Sequence, residues 1–187
     1  EVLYVCDADG DHGHESAERI AKTFNTKVPQ VVSDMRKVFD DPAVNAITTA
    51  TPNHWHSLTA VWAMQAGKDV YVEKPVSHNV WEGRQAVNAS RKYGRICQTG
   101  TQSRSSPSLA EAVKWVHEGN LGAIQYAIGT CYKPRKSIGK LDKPLEISKE
   151  IDYDLWCGPA AKVDLYRPKL HYDWHWDYNT GNGDLGN

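Results

Sequence analysis

Short apolar runs alternate along the first hundred residues with longer stretches whose apolar positions recur every three or four residues. Glu1–Cys6 reads as a buried strand, followed by a polar turn over Asp7–Gly13. Ala17, Ile20, Ala21 and Phe24 then share one face, which predicts a helix over Glu15–Phe24. The pattern continues with a strand over Val28–Val32, a short helix over Asp34–Phe39 capped by Ser33 or Asp34, and a strand over Val44–Ala50. A helix over His56–Ala66 meets Gly67, and a strand follows over Asp69–Val72. A helix over Val80–Tyr93 meets Gly94, and Arg95–Thr99 is the last strand of this series. Glycine directly after a helical pattern is a stop signal, because it takes the left-handed conformation without a Cβ clash. Strict strand–helix alternation predicts a doubly wound parallel sheet with helices on both faces.

The character changes near residue 103, so the chain divides into 1–103 and 104–187. Pro107–Glu118 reads as a helix ended by Gly119-Asn120, and Ala123–Tyr132 alternates like a half-exposed strand. Lys133–Pro144 is a basic loop, and the remainder is rich in aromatics and turns. A second region, the start of an α/β unit with an open, mainly antiparallel sheet, is expected here.

Composition narrows the function classes. The net charge of the 187 residues is −1, which argues against a nucleic-acid binder or a polybasic membrane-surface protein. With 40% hydrophobic and 24% charged residues the chain is not of disordered composition, and no apolar run is long enough to span a bilayer. No two of the four cysteines form a CxxC pair, so neither a zinc knuckle nor a redox pair is signalled; Cys6 and Cys97 read as small core residues. Glu1 opens directly into a strand and Asn187 closes a Gly/Asn-rich loop, so both ends are expected to be cut. Cytoplasmic and periplasmic locations both stay open.

Ligands of parallel sheets bind beyond the carboxyl ends of the strands. There lie Cys6-Asp7, Thr51-Pro52-Asn53, Glu73-Lys74-Pro75 and Gly100-Thr101-Gln102. Asp7, at a strand end, suits the hydroxyls of an adenosine ribose, and no Arg follows within ten residues to welcome a 2′-phosphate, which favours NAD over NADP. A solvated turn acid is the alternative. Lys74 sits between an acid and a proline that restricts it to extended geometry, so its ammonium has a defined direction. A cation there can orient a hydroxyl and stabilise a developing alkoxide; a surface lysine is the alternative. No metal site is expected. Asp7, Asp9, Asp11 and Glu18 match calcium-loop positions only superficially, because His12 stands where that loop needs Gly. His54 and His56 begin a helix, so their rings diverge, one toward a pocket and one toward the surface. His171 and His175 would need a helix to converge, and their surroundings do not read as one.

The run Thr51-Pro52-Asn53-His54-Trp55-His56, then Ala66-Gly67-Lys68 and Val72-Glu73-Lys74-Pro75, resembles the Gfo/Idh/MocA oxidoreductases in order and spacing. The resemblance implies a Rossmann domain followed by an α/β domain, and hydride transfer between NAD(P) and a secondary alcohol of a sugar, glycoside or cyclitol. It implies a homo-oligomer, catalytic Lys74, and cofactor-binding Asp7, Thr51, Pro52, Asn53, His56, Glu73, Lys74 and Gln102. Trp174 and Trp176 become candidates to stack on a sugar, with core packing as their alternative role. Two family features are missing from the sequence, the first strand with its Gly-rich loop and a C-terminal Asp-x-x-x-His proton relay. The relay's Asp aligns with Asn187, which cannot act as a base, so Asp184 becomes a candidate. An NAD-dependent glycosidase of the same fold and a non-catalytic fragment or scaffold subunit are the rival readings.

Overall fold

The structure is a computed structural model that describes residues 1–186. The candidate at Asn187 lies outside the described residues. Strand β1 (Tyr4–Cys6) leads into helix α1 (Gly10–Phe24), β2 (Gln30–Val32) into α2 (Arg36–Phe39), β3 (Ala46–Thr49) into α3 (Asn53–Gln65), and β4 (Asp69–Glu73) into α4 (Val80–Tyr93). Strand β5 (Cys97–Gly100) closes the series; α5 (Pro107–His117) and the short α6 (Tyr153–Cys157) follow.

All pairings are parallel, as the alternation predicts, but the strands form two sheets: β1 with β2, and β3–β4–β5 in that order. Among the described residues β1 pairs only with β2, and β3 only with β4, so each leaves an edge toward a cleft of about 1070 Å³. Leu3, Tyr4 and Cys6 line one side of it, and Ile47, Thr48 and Thr49 the other. Beneath it Val32, Val38 and Val44 pack with Leu3 and Ile47, which holds the two sheets together without a ladder between them.

The main core lies under the three-stranded sheet. Ala60, Ala63 and Met64 of α3 meet Val70 and Val72 of β4 and Ala89 of α4, with Phe39 at the edge. The alternate residues Val70 and Val72 share the buried face of β4, as strand geometry requires. Full burial of a side chain the size of Met64 stabilises by about 1.5–3 kcal/mol. Helix α4 is capped at its end by Gly94 with φ +61°, and α3 is capped by Ala66, directly before Gly67 with φ +77°. Both glycine stops therefore stand where the sequence places them.

Several expectations need correction. Helix α1 begins at Gly10, five residues earlier than the apolar spacing indicates. Asp9 caps it, its Oδ1 accepting from the Asp11 and His12 amides at 3.0 and 3.3 Å. A side-chain cap, not an apolar face, sets the start of this helix. Helix α2 begins after Met35, and Asp34 Oδ1 accepts from the Arg36 amide just upstream. No strand forms over Ala123–Tyr132: the segment is extended coil and exposed, because no strand pairs with it among the described residues. Cys6 and Cys97 are half-buried, not buried, since Cys6 lines the cleft and Cys97 lies on the edge strand β5. Among the described residues no helix is long and apolar enough to cross a membrane.

Residues 145–180 form a second small core. Trp156, Cys157, Leu165 and Leu170 are buried together, with Ala8, Ile151 and Trp174 against them. This layer docks on the start of α1: the Asp152 amide donates to Ala8 O at 2.8 Å, and the Gly10 amide to Glu150 O at 2.9 Å.

Candidate functional site

The four strand-end segments lie along one rim. After β1, Asp7 lines the cleft, and its Oδ1 accepts from the Asp9 amide at 2.9 Å, which orients the carboxylate. Thr51 and Pro52 line the opposite lip. His56 ties the next two loops together: its Nε2 lies 2.7 Å from Thr51 O and its Nδ1 2.6 Å from Pro75 O. Glu73 ties the third to the fourth, with its Oε1 accepting from Gln102 Nε2 and its Oε2 from the Lys74 amide. The Lys74–Pro75 bond is cis, and the Lys74 side chain is exposed at the end of β4. Asp7, Thr51, Pro52, His56, Glu73, Lys74 and Gln102 thus follow one another along a single edge.

Asn53 is turned differently. It is buried, and its Nδ2 donates to Asn182 Oδ1 at 3.0 Å, while Asn182 Nδ2 donates to His78 O. His54 and His56 are both buried, so the expectation that one of them faces solvent is corrected. His54 Nε2 lies 3.1 Å from Trp156 O and Nδ1 3.3 Å from Thr180 O. Burial pushes its pKa below the ordinary histidine value, against the raising effect of those two carbonyls. Trp55 Nε1 donates to the carbonyls of Leu155 and Trp156, both at 3.1 Å. The two consecutive residues at the start of α3 therefore fasten the 145–180 layer to the rim. Gly158 is required there, because a Cβ on it would meet the Trp55 indole at 2.0 Å.

Of the remaining candidates, Trp174 shares the cleft with Asp7, Thr51 and Pro52, whereas Trp176 and Asp184 do not line it. Trp174 lines the cleft, stacks on His175 at 3.6 Å between ring centroids and packs on the Trp156 core. Trp176 lies under the Arg135 guanidinium, 5.3 Å from its ring. Asp184 accepts from Arg135 Nε and Nη2 at 2.9 and 2.8 Å, and the guanidinium holds its carboxyl below the usual carboxylate range. A carboxylate so held is a weaker base. At Cys6 burial, followed by the nearby Asp7 carboxylate, pushes the thiol up to about 12, which makes it inert as a nucleophile at neutral pH. Sequence reasoning missed Thr180 and Asn182, which make long-range contacts with α3, and His78, which holds Gly181 and Asn182; no local spacing signals any of these.

A parallel sheet whose strand-end loops carry an acid, a Thr-Pro turn and a Glu-Lys-Pro turn beside a cleft defines a Rossmann-type nucleotide-binding unit. The model of the oxidoreductase family with an NAD-binding Rossmann fold matches residues 8–101, and the chain belongs to that family, the Gfo/Idh/MocA oxidoreductases. It is 30% identical over 126 residues to levoglucosan dehydrogenase of Pseudarthrobacter phenanthrenivorans, covering 67% of this chain and 31% of that protein. It is 30% identical over 125 residues to scyllo-inositol 2-dehydrogenase (NAD(+)) of Bacillus subtilis, covering 67% and 35%. Levoglucosan dehydrogenase in complex with NADH and levoglucosan superposes with a TM-score of 0.53 at 29% identity, covering 64% of this chain and 30% of that one. The chain spans about a third of the length of these relatives.

Proposed function

We propose that this chain carries the cofactor-binding part of an enzyme that moves a hydride between NAD and a secondary-alcohol carbon of a sugar, glycoside or cyclitol. The observation that carries the reading is the rim running from Asp7, across the cleft, to the His56-linked Thr51 and Pro75 loops and on to Glu73 and Gln102. Two similar proteins are named as dehydrogenases of levoglucosan and of scyllo-inositol, which supports this substrate class.

Bound NAD would supply the hydride acceptor. Asp7 would accept hydrogen bonds from the adenosine ribose hydroxyls and repel a 2′-phosphate. His56 holds the two loops that flank the nicotinamide end at a set spacing. Lys74 would orient the reacting hydroxyl and stabilise negative charge as its proton leaves. Asp184 serves as the partner of Arg135 rather than as the base.

Calorimetric titration with NAD tests the cofactor half. One NAD per chain is expected, with NADP weaker, and Asp7→Ala should weaken NAD binding by about tenfold, the scale of one charge-assisted hydrogen bond. NAD binding that ignores Asp7→Ala would overturn the ribose assignment. In turnover assays with sugars and cyclitols, Lys74→Ala should lower kcat by about 10²- to 10⁴-fold and leave the NAD Kd nearly unchanged. Near-normal turnover in that variant would sink the role given to Lys74.

A further inference from the structure

Asp9, His12 and His171 come together at the start of α1, and no step of the proposed reaction uses them. One ligand-capable atom from each lies within 4.8 Å of the others. His171 Nε2 is 2.8 Å from Asp9 Oδ2, and His12 Nδ1 is 3.9 Å from the same oxygen. The two imidazole rings are 4.3 Å apart between centroids, tilted by 37°. A simple His–Asp ion pair accounts for one imidazole. It leaves unexplained why a second imidazole, 159 positions away in sequence, is held against the first and faces the same oxygen.

We infer that these three residues form a binding site for a first-row divalent cation, of the kind zinc represents, independent of the dinucleotide. Two imidazole nitrogens and one carboxylate oxygen are the donor set such cations take when they keep open positions. With bonds of about 2.0–2.1 Å, tetrahedral ligands stand about 3.3 Å apart. The separations of 2.8 and 3.9 Å fall on either side of that value and all three donor atoms lie within 4.8 Å of one another, so a bound ion would draw the side chains together to close the site. The carboxylate is already oriented: its Oδ1 accepts from two backbone amides at the helix start, which leaves Oδ2 for the cation. Asp9 itself is buried, whereas His12 and His171 line the cleft, so water from the cleft would fill the remaining positions. The positive end of the α1 dipole opposes a cation, and the carboxylates of Asp9 and Asp11 in its first turn offset it. A bound ion would join α1 to residue 171 and clamp the 145–180 layer onto the rim.

Titration of the metal-stripped chain with zinc, without NAD, tests the site separately from the cofactor reading. A Cys131→Ser background removes the exposed thiol as a competing ligand. One zinc per chain is expected. His12→Ala should weaken it at least tenfold, the floor set by losing a residue that merely orients a ligand, without changing the melting temperature of the metal-free chain. His12 suits this purpose because its ring is about half exposed and makes no hydrogen bond among the described residues. Asp9→Asn should abolish binding, and bound Co(II) should show the visible absorption of a nitrogen- and oxygen-ligated, low-coordinate ion. Absence of stoichiometric zinc binding by the folded chain, or zinc binding that His12→Ala leaves unchanged, would overturn the site.

Discussion

Residues 121–132 and 145–180 both lie outside the sheets, yet they end in opposite states. The first has the more strand-like pattern, and Leu121, Ile124, Tyr126, Ile128 and Tyr132 are all exposed. The second reads as turns and aromatics, and it buries Trp156, Cys157, Leu165 and Leu170. The difference is a receiving surface. An alternating segment is stable only when its backbone groups and apolar face find another strand or layer. The 145–180 layer finds one in the start of α1 and the His54-Trp55 corner of α3, through six polar contacts with backbone carbonyls. No described strand pairs with 121–132. Apolar patterning states what a segment is able to bury, and the neighbours decide whether it does.

The largest expected effect lies in the docked layer. Trp156→Ala should cost about 3–5 kcal/mol in urea unfolding, because it empties the centre of the small core. Gly158→Ala drives a methyl into the Trp55 ring, and a cost of about 1–3 kcal/mol is expected from overpacking at this close approach. A cost near zero at either position would mean that the layer is not docked in solution. His54→Phe removes the ring nitrogens that face the Trp156 and Thr180 carbonyls, and about 1–3 kcal/mol should be lost.

His54 also gives the contrast a pH signature. Its folded pKa is lowered, with burial as the leading cause and His78 and His56 adding repulsion. The unfolded chain therefore binds a proton that the folded chain refuses. Stability should be full above the unfolded value of about 6.5 and should fall as pH drops below it, by at most about 1.4 kcal/mol per pH unit. Urea midpoints between pH 7 and 5 measure this, and His54→Phe should flatten the slope; an unchanged slope removes His54 as its source. The smallest effect belongs to the exposed segment, where Ile128→Thr should change stability by no more than about 0.5 kcal/mol. A core-sized loss there would show that 121–132 is covered in solution and would erase the contrast.

Much of the nucleotide-binding unit was legible because its signals are local. Helical spacing, strand-length apolar runs and the glycines at 67 and 94 act within a few residues, and they located five strands and the four helices between them. The start of α1 was misplaced because a cap is a hydrogen bond from one side chain, invisible to periodicity. At the site, the rim residues Asp7, Thr51, Pro52, Glu73, Lys74 and Gln102 were reachable because strand ends of a parallel sheet converge by topology. The clamp formed by Asn53, His54 and Trp55 with Leu155, Trp156, Thr180 and Asn182 was not, since it joins positions a hundred or more residues apart.

The amino-acid order by itself determined the strand–helix alternation, the helix stops, the parallel sheet and the identity of the strand-end loops, because each depends on conformational preferences within one or two turns of chain. Only the tertiary structure decided that both histidines of the Thr-Pro-Asn-His-Trp-His run are buried ties, and that Asp9, His12 and His171 meet. Those outcomes depend on which distant surfaces exclude water from one another, and chain order does not record the distance between residues far apart in sequence.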